Sequence, residues 1–228
     1  MKFVSTPSKM ANRTIAVILL CVVSFGCKQP AKNVPMYNIP VLPDAFSFAY
    51  FKLGTYWIYL DSATHRIDSQ YVVSANDAPL VITGATAQYD GMGGSFGSFN
   101  CVYQSSYEGA QYTNEVAQNQ YHPSSTTIYE SRYRAGQSMA IGANIFQIPY
   151  SVNTPLAYDD TMIIVTDNTS FILSSATLTN VLEINHSRDQ TCNNLKTRTF
   201  IKKGYGLLRK EVPDSNRVWN LIRCHIVQ

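Results

Sequence analysis

The 228-residue sequence predicts an all-β fold with few short helices: a curved antiparallel sheet, half-barrel or sandwich built from consecutive hairpins. Three observations point there. Short segments alternate apolar and polar residues with a period of two, and turn residues separate them at close intervals. Aromatic residues are abundant, with 15 Tyr and 10 Phe, whereas only 14% of residues are charged. Aromatic and β-branched side chains fit the half-buried, pleated face of a sheet. No window carries a helical period over three turns.

The strands follow in order. Tyr56-Trp-Ile-Tyr-Leu60 alternates aromatic and aliphatic faces, and 67–73 repeats the pattern after the polar Asp61-Ser-Ala-Thr-His-Arg66, which predicts a hairpin. Segments 99–107, 126–133, 161–166 and 170–173 read as shorter strands. A second hairpin spans 181–188 and 197–203 around the polar turn Asp189-Gln-Thr-Cys-Asn-Asn194. Gly204-Tyr-Gly206 turns the chain into 207–212, and Pro213-Asp-Ser-Asn216 turns it into 218–227. Gly91-Met-Gly-Gly-Ser-Phe-Gly97 reads as a glycine-rich loop, and 135–144 as weakly structured.

The N-terminal stretch has a different character. Lys2, Lys9 and Arg13 precede the uninterrupted apolar run 15–23, and polar Lys28-Gln-Pro30 follows at once. A run this short does not cross a bilayer, which needs ~20 apolar residues, but it suits an export signal. Met10 is an alternative start. Gly26-Cys27 resembles the lipobox of bacterial lipoproteins, where a small residue precedes the cysteine that is lipidated. Ser24 and Phe25 depart from its usual Leu-Ala/Ser, a looseness similar to that of Bacteroidota envelope lipoproteins. Cys21 is the rival acceptor, disfavoured by bulky Leu20 before it. The expected organisation is a signal peptide at 1–26, a lipidated Cys27 with a proline-rich tether at 27–43, and a single β-rich domain at 44–228. The expected location is the bacterial envelope, anchored by lipid, with the periplasmic side of the outer membrane preferred.

Removal of 1–26 changes the charge. Three of the 18 basic residues and none of the 15 acidic ones lie there, so the mature chain carries 18 − 3 = 15 basic against 15 acidic side chains. A neutral chain with scattered charge lacks the electrostatic footprint of a nucleic-acid binder. The tether holds Pro30, Pro35, Pro40 and Pro43; such a spacer extends ~3.1 Å per residue. A loop packed along the domain, gripped by Met36, Tyr37 and Ile39, is the alternative.

With Cys27 lipidated, Cys101, Cys192 and Cys224 remain, so at most one disulfide forms among them, and the spacing does not choose the pair. Cys101 and Cys224 sit in apparent strands and read better as small buried hydrophobes. No basic partner for a nucleophilic cysteine is identifiable, and the three lack paired C-x-x-C spacing for a metal. Trp57 and Trp219 are candidate aromatics of a ligand groove, although a Trp in an alternating strand more often packs. Asp159-Asp160 reads as solvated strand entry, because neighbours in a strand face opposite sides. His65, His122, His186 and His225 are scattered without ligand spacing. The glycine-rich segment lacks the Lys-Ser/Thr of a phosphate loop, and no nucleophile elbow is present. No catalytic, metal or cofactor residue is assigned.

Two segments carry a further resemblance. Phe51-Lys-Leu-Gly-Thr-Tyr-Trp-Ile-Tyr-Leu-Asp-Ser62 with Asp68-Ser-Gln-Tyr-Val72 resembles the opening hairpin of small Bacteroidota envelope lipoproteins. Gly204-Tyr-Gly-Leu-Leu-Arg-Lys-Glu211 with Trp219-Asn-Leu221 looks like their closing hairpin. The resemblance implies a strongly curved antiparallel sheet similar to periplasmic lipid-handling lipoproteins of the LolA/LppX type, and it brings no activity. Three functional classes follow. The first is a non-catalytic envelope lipoprotein binding a partner protein or an apolar or glycan ligand. The second is a structural subunit of an envelope assembly. The third, ranked last, is a glycan or peptidoglycan hydrolase, which needs two convergent carboxylates in one cleft.

The address is directly testable. Cys27→Ser abolishes lipid labelling and releases the chain into the soluble fraction; labelling and membrane fractionation that persist in the variant point instead to Cys21 or to an uncleaved anchor.

Overall fold

The alternation in Tyr56–Asp61 sets the pattern for the whole molecule. Trp57, Tyr59 and Asp61 are buried, while Tyr56, Ile58 and Leu60 are only half-buried, so one face of this strand turns inward. The computed structural model describes residues 36–82, 93–107, 110–118, 126–133, 141–153, 155–156, 159–189 and 192–228. Residues 36–228 belong to one compact unit. The predicted signal with Cys21 and Cys27, and also His122, lie outside the described residues.

The chain enters through β1 (Met36–Ile39), followed by a seven-residue helix α1 (Pro43–Ala49) with Pro43 at its first turn. The hairpin β2 (Tyr56–Asp61) and β3 (Ile67–Asn76) forms where the sequence places it, with Tyr56 opposite Tyr71 and Leu60 opposite Ile67. Short β4 (Leu80–Ile82) and β5 (Gly93–Phe96) come next, then β6 (Asn100–Ser105), β7 (Gln111–Gln118), β8 (Thr126–Tyr133), β9 (Ile141–Ile148) and β10 (Pro155–Leu156). The long hairpin β11 (Asp159–Leu173) and β12 (Ala176–Asp189) precedes β13 (Leu195–Lys202), β14 (Gly206–Val212) and β15 (Arg217–His225).

Among the described residues these strands form two sheets. One is small, in the order β1-β5-β4. The other has twelve strands, all antiparallel neighbours, in the order β10-β11-β12-β13-β14-β15-β2-β3-β6-β7-β8-β9. The order has two ends, so the sheet is curved and not closed. Its curvature is visible in the core: Ile128 of β8 and Ile148 of β9 share one buried cluster with Met162 and Ile164 of β11 and with Leu182 and Ile184 of β12. Ala45, Phe48 and Ala49 of α1 fill the same cluster, so the helix plugs the inner face. A second cluster joins Phe51, Trp57, Tyr59, Val72, Cys101, Tyr103, Leu208 and Leu221.

The all-β class and the hairpins around 61–66, 189–194 and 213–216 agree with the sequence. Several details differ. Segments 161–166 and 170–173 are one strand, β11, whose register shifts three times between Ile164 and Phe171. The polar Asp167-Asn168 is therefore a bulged stretch and not a turn, with Asn168 N–H donating to Thr166 Oγ1 at 3.2 Å. Part of the glycine-rich loop is β5, paired on one side with β1 and on the other with β4. β7 was not anticipated because its sequence, QYTNEVAQ, lacks apolar alternation; pairing to β6 and β8 makes it a strand. The second half of the predicted tether also belongs to the compact unit, since 36–39 pairs with β5 and Pro43 starts α1.

Gly97 marks where this entry segment is tightest. A Cβ there would lie 2.3 Å from Val41 N and 2.8 Å from Val41 Cγ2. Gly97→Ala therefore lowers unfolding stability by about 1–3 kcal/mol, read as a lower thermal midpoint. An unchanged midpoint would contradict the packing of 40–41 against the domain.

Candidate polar cleft on the inner face

Period-two alternation has a second consequence. Following each central strand along its inward-facing positions, apolar residues give way to polar ones toward the same end of the sheet. On β2 the order is Trp57, Tyr59, Asp61; on β3, read backwards, Val72, Gln70, Asp68; on β6, Cys101, Tyr103, Ser105. On β8 it is Ile128, Glu130, Arg132, and on β15, read backwards, Leu221, Trp219, Arg217; β14 brings Lys210 inward after Leu208 but closes on the apolar Val212. The polar end opens as a cleft of about 300 Å³ lined by Tyr59, Asp68, Gln70, Tyr103, Tyr107, Glu130, Arg132, Lys210, Arg217 and Trp219, with Cys192 and Asn193 from the β12–β13 turn. That volume is at the small end of ligand-binding pockets.

The cleft's charges are held by named partners. Lys210 Nζ lies 2.9 Å from Asp189 Oδ2, and Asp189 also accepts from Thr197 Oγ1 at 3.0 Å. Burial alone would lower the Lys210 ammonium, but Asp189 and Glu130 overcome it and hold it well above the usual lysine value. Glu130 is pushed upward, chiefly because burial disfavours its charged form; Lys210, the Tyr103 hydroxyl and Arg132 oppose that shift. Tyr103 Oη donates to Glu130 Oε2. Asp68 accepts four hydrogen bonds: from Ser105 Oγ at 2.7 Å, Ser106 Oγ at 3.2 Å, Tyr107 N at 3.1 Å and Gln70 Nε2 at 2.7 Å. It thereby fixes the end of β6 against β3.

Asp61 is fully buried and accepts from Ala63 N at 3.1 Å, Thr64 Oγ1 at 2.8 Å and Arg217 Nε. Burial would raise its carboxyl, but these donors and the Arg217 charge hold it below the usual aspartate value. The Arg217 guanidinium in turn lies 5.1 Å from the Trp219 ring centroid and 5.7 Å from that of Tyr107. Tyr107 and Trp219 meet edge to face at 5.2 Å. The result is a half-exposed aromatic pair backed by a fixed cation, beside a floor of hydrogen-bonding groups.

The candidates read from sequence fall differently. Trp57 is in the core, its Nε1 donating to the Tyr205 carbonyl at 2.7 Å and its ring edge to face with Phe51 at 5.0 Å. Trp219 lines the cleft, so the two tryptophans do not share a groove. Cys101, Cys192 and Cys224 all carry free thiols, and no disulfide joins them. Cys101 is fully buried and donates to the Phe51 carbonyl at 3.3 Å; burial pushes its thiol up to about 11. Burial raises Cys224 as well, so both thiols behave as small apolar core groups. Cys192 alone of the three lines the cleft. His65 sits in the β2–β3 turn at φ 55°, His186 is buried in β12, and His225 lies 5.9 Å from the Tyr56 ring. Asp159 and Asp160 open β11. No group of three metal-ligating side chains occurs among the described residues.

Glu130, Lys210, Arg217, Asp68 and Tyr107 were not anticipated from sequence, although a signal exists for three of them. Asp68, Glu130 and Lys210 each stand two residues from a buried aliphatic or inward-facing residue in the same strand, the phase at which a polar residue must be paired or face a cavity. No family model matches the chain, and comparison with curated proteins and with solved structures gives no match either.

Proposed function

We propose that this chain is an envelope lipoprotein, anchored through Cys27, whose curved sheet binds a glycan without catalysis in the cleft around Trp219. The observation that carries this reading is the Tyr107–Trp219 pair, half-exposed and backed by Arg217, beside paired charges on an otherwise apolar inner face. The C–H face of a pyranose packs on an aromatic ring, and its hydroxyls hydrogen-bond to groups such as Gln70, Glu130 and Lys210. An apolar ligand fits less well, because a hydrocarbon chain here would strip water from charged groups and return no hydrogen bonds. A hydrolase fits less well too. Asp68 is already the acceptor of four hydrogen bonds, which leaves Glu130 as the lining carboxylate with capacity for proton transfer.

Titration of soluble oligosaccharides into the purified chain, followed by tryptophan fluorescence, tests the reading. Binding that perturbs the emission and is weakened at least about tenfold by Trp219→Ala supports it; tenfold corresponds to ~1.4 kcal/mol. Trp57→Phe serves as the comparison and leaves affinity near that of the parent. Binding of phospholipid in place of every oligosaccharide, or oligosaccharide binding indifferent to Trp219, would overturn it.

A further inference from the structure

The end of the sheet opposite the cleft carries a different surface. β3 ends there at Asn76, β6 begins at Asn100, β13 ends at Lys202 and β14 begins at Gly206. The β11–β12 hairpin runs past this end. Leu182 pairs with Ile201 near the close of β13, yet β12 continues back to Ala176, opposite Leu173. The tip packs Phe171, Leu173 and Leu178 onto the second core cluster and turns Ile172, 72% exposed, outward at the pair Ile172↔Thr177. Leu53, in the loop before β2, and Val81, in β4 just beyond β3, are 62% and 59% exposed at the same end. Of the four most exposed aliphatic side chains among the described residues, only Ile67 lies elsewhere, at the cleft end of β3. Lys52 and Lys203 are exposed beside them, Lys203 paired with Asp44 at 2.7 Å, and Lys202 Nζ donates to the Thr179 carbonyl at 2.5 Å.

The chain enters at this end as well. β1 starts at Met36 in the small sheet, and α1 is tied to the β13–β14 turn by Gly204 N–H donating to the Ser47 carbonyl at 2.7 Å. Eight residues separate Cys27 from Met36, a span of roughly 30 Å at full extension. A lipid on Cys27 would therefore be joined to the domain at this end by a spacer of eight residues. Exposed aliphatic tips that dip into the interface, with lysine stems lying along the headgroups, are a surface suited to lipid.

The geometry points to a docking face for a lipid bilayer made of the β11–β12 tip with Ile172, the Leu53 loop and Val81, which turns the Trp219 cleft away from the membrane. The inference rests on lipid attachment at Cys27, and its test separates the two. The lipidated full chain is reconstituted into vesicles of phosphatidylethanolamine and phosphatidylglycerol with brominated acyl chains. Ile172→Trp, with Leu53→Trp as a second probe in case the first perturbs the hairpin, is compared with the parent chain. The expected result is that brominated lipid removes about half or more of the added emission, while the parent, which carries Trp57 and Trp219, is quenched little. Vesicle-bound protein in which neither added tryptophan is quenched, or in which the parent is quenched equally, overturns the docking face while the anchor stands. A chain that carries no lipid on Cys27 overturns both.

Discussion

The Asp61–Arg217 pair is the interaction on which the polar end of the molecule depends. A fully buried carboxylate is tolerated only when its lone pairs are occupied and its charge is matched. Asp61 meets that condition with three donors from two places in the sequence. Ala63 and Thr64 close the β2–β3 turn, and Arg217 opens β15, 156 residues away. The same contact fixes the guanidinium beneath Trp219 and Tyr107. Local turn geometry, the long-range pairing of β2 with β15 and the placement of the aromatic pair are therefore one arrangement.

The rest of the inner face follows from what a curved sheet must do with its concave side. At one end α1 and the aliphatic residues of β8, β9, β11 and β12 fill it. Toward the other end the inward positions become charged, and each charge is anchored: Lys210 on Asp189, Glu130 on Tyr103, Asp68 on the end of β6. These contacts hold the polar groups apart, so a cleft persists where a sheet lined by leucines would collapse into core. The same directionality places the exposed aliphatic tips and the start of β1 at the far end, away from the cleft.

Much of this architecture was legible in the sequence because alternation is a local signal. The β2–β3 hairpin needed only aromatic and aliphatic residues in phase with the polar Asp61–Arg66 turn. β7 was not legible, because Gln111–Gln118 is a strand through its partners and not through its own pattern. The bulges of β11 hid one long strand as two short ones, since Asp167-Asn168 has the composition of a turn. Trp57 and Trp219 stand in equally convincing strands, and only long-range pairing separates them. Tyr205 supplies a carbonyl to bury Trp57, whereas Arg217 and Tyr107 hold Trp219 at the cleft. The site itself depends on Glu130 and Lys210 lining one cleft from strands separated by five others, a relation that no local spacing encodes.

The buried Asp61 carboxylate, ionised and paired, organises the polar end of the sheet. Its pKa is held below the unfolded aspartate value, so its contribution is present above about pH 4 and is lost as pH falls through the folded value. The decisive measurement is the unfolding free energy of the parent chain and of Asp61→Asn by denaturant titration from neutral pH down to about pH 3. Asp61→Asn is expected to be less stable at neutral pH by about 2–4 kcal/mol, short of the full cost of breaking a buried pair because Arg217 is a quarter exposed. The gap is expected to narrow as the parent's carboxylate is protonated. Equal stabilities at neutral pH, or a gap that stays constant through the acid range, would contradict that role.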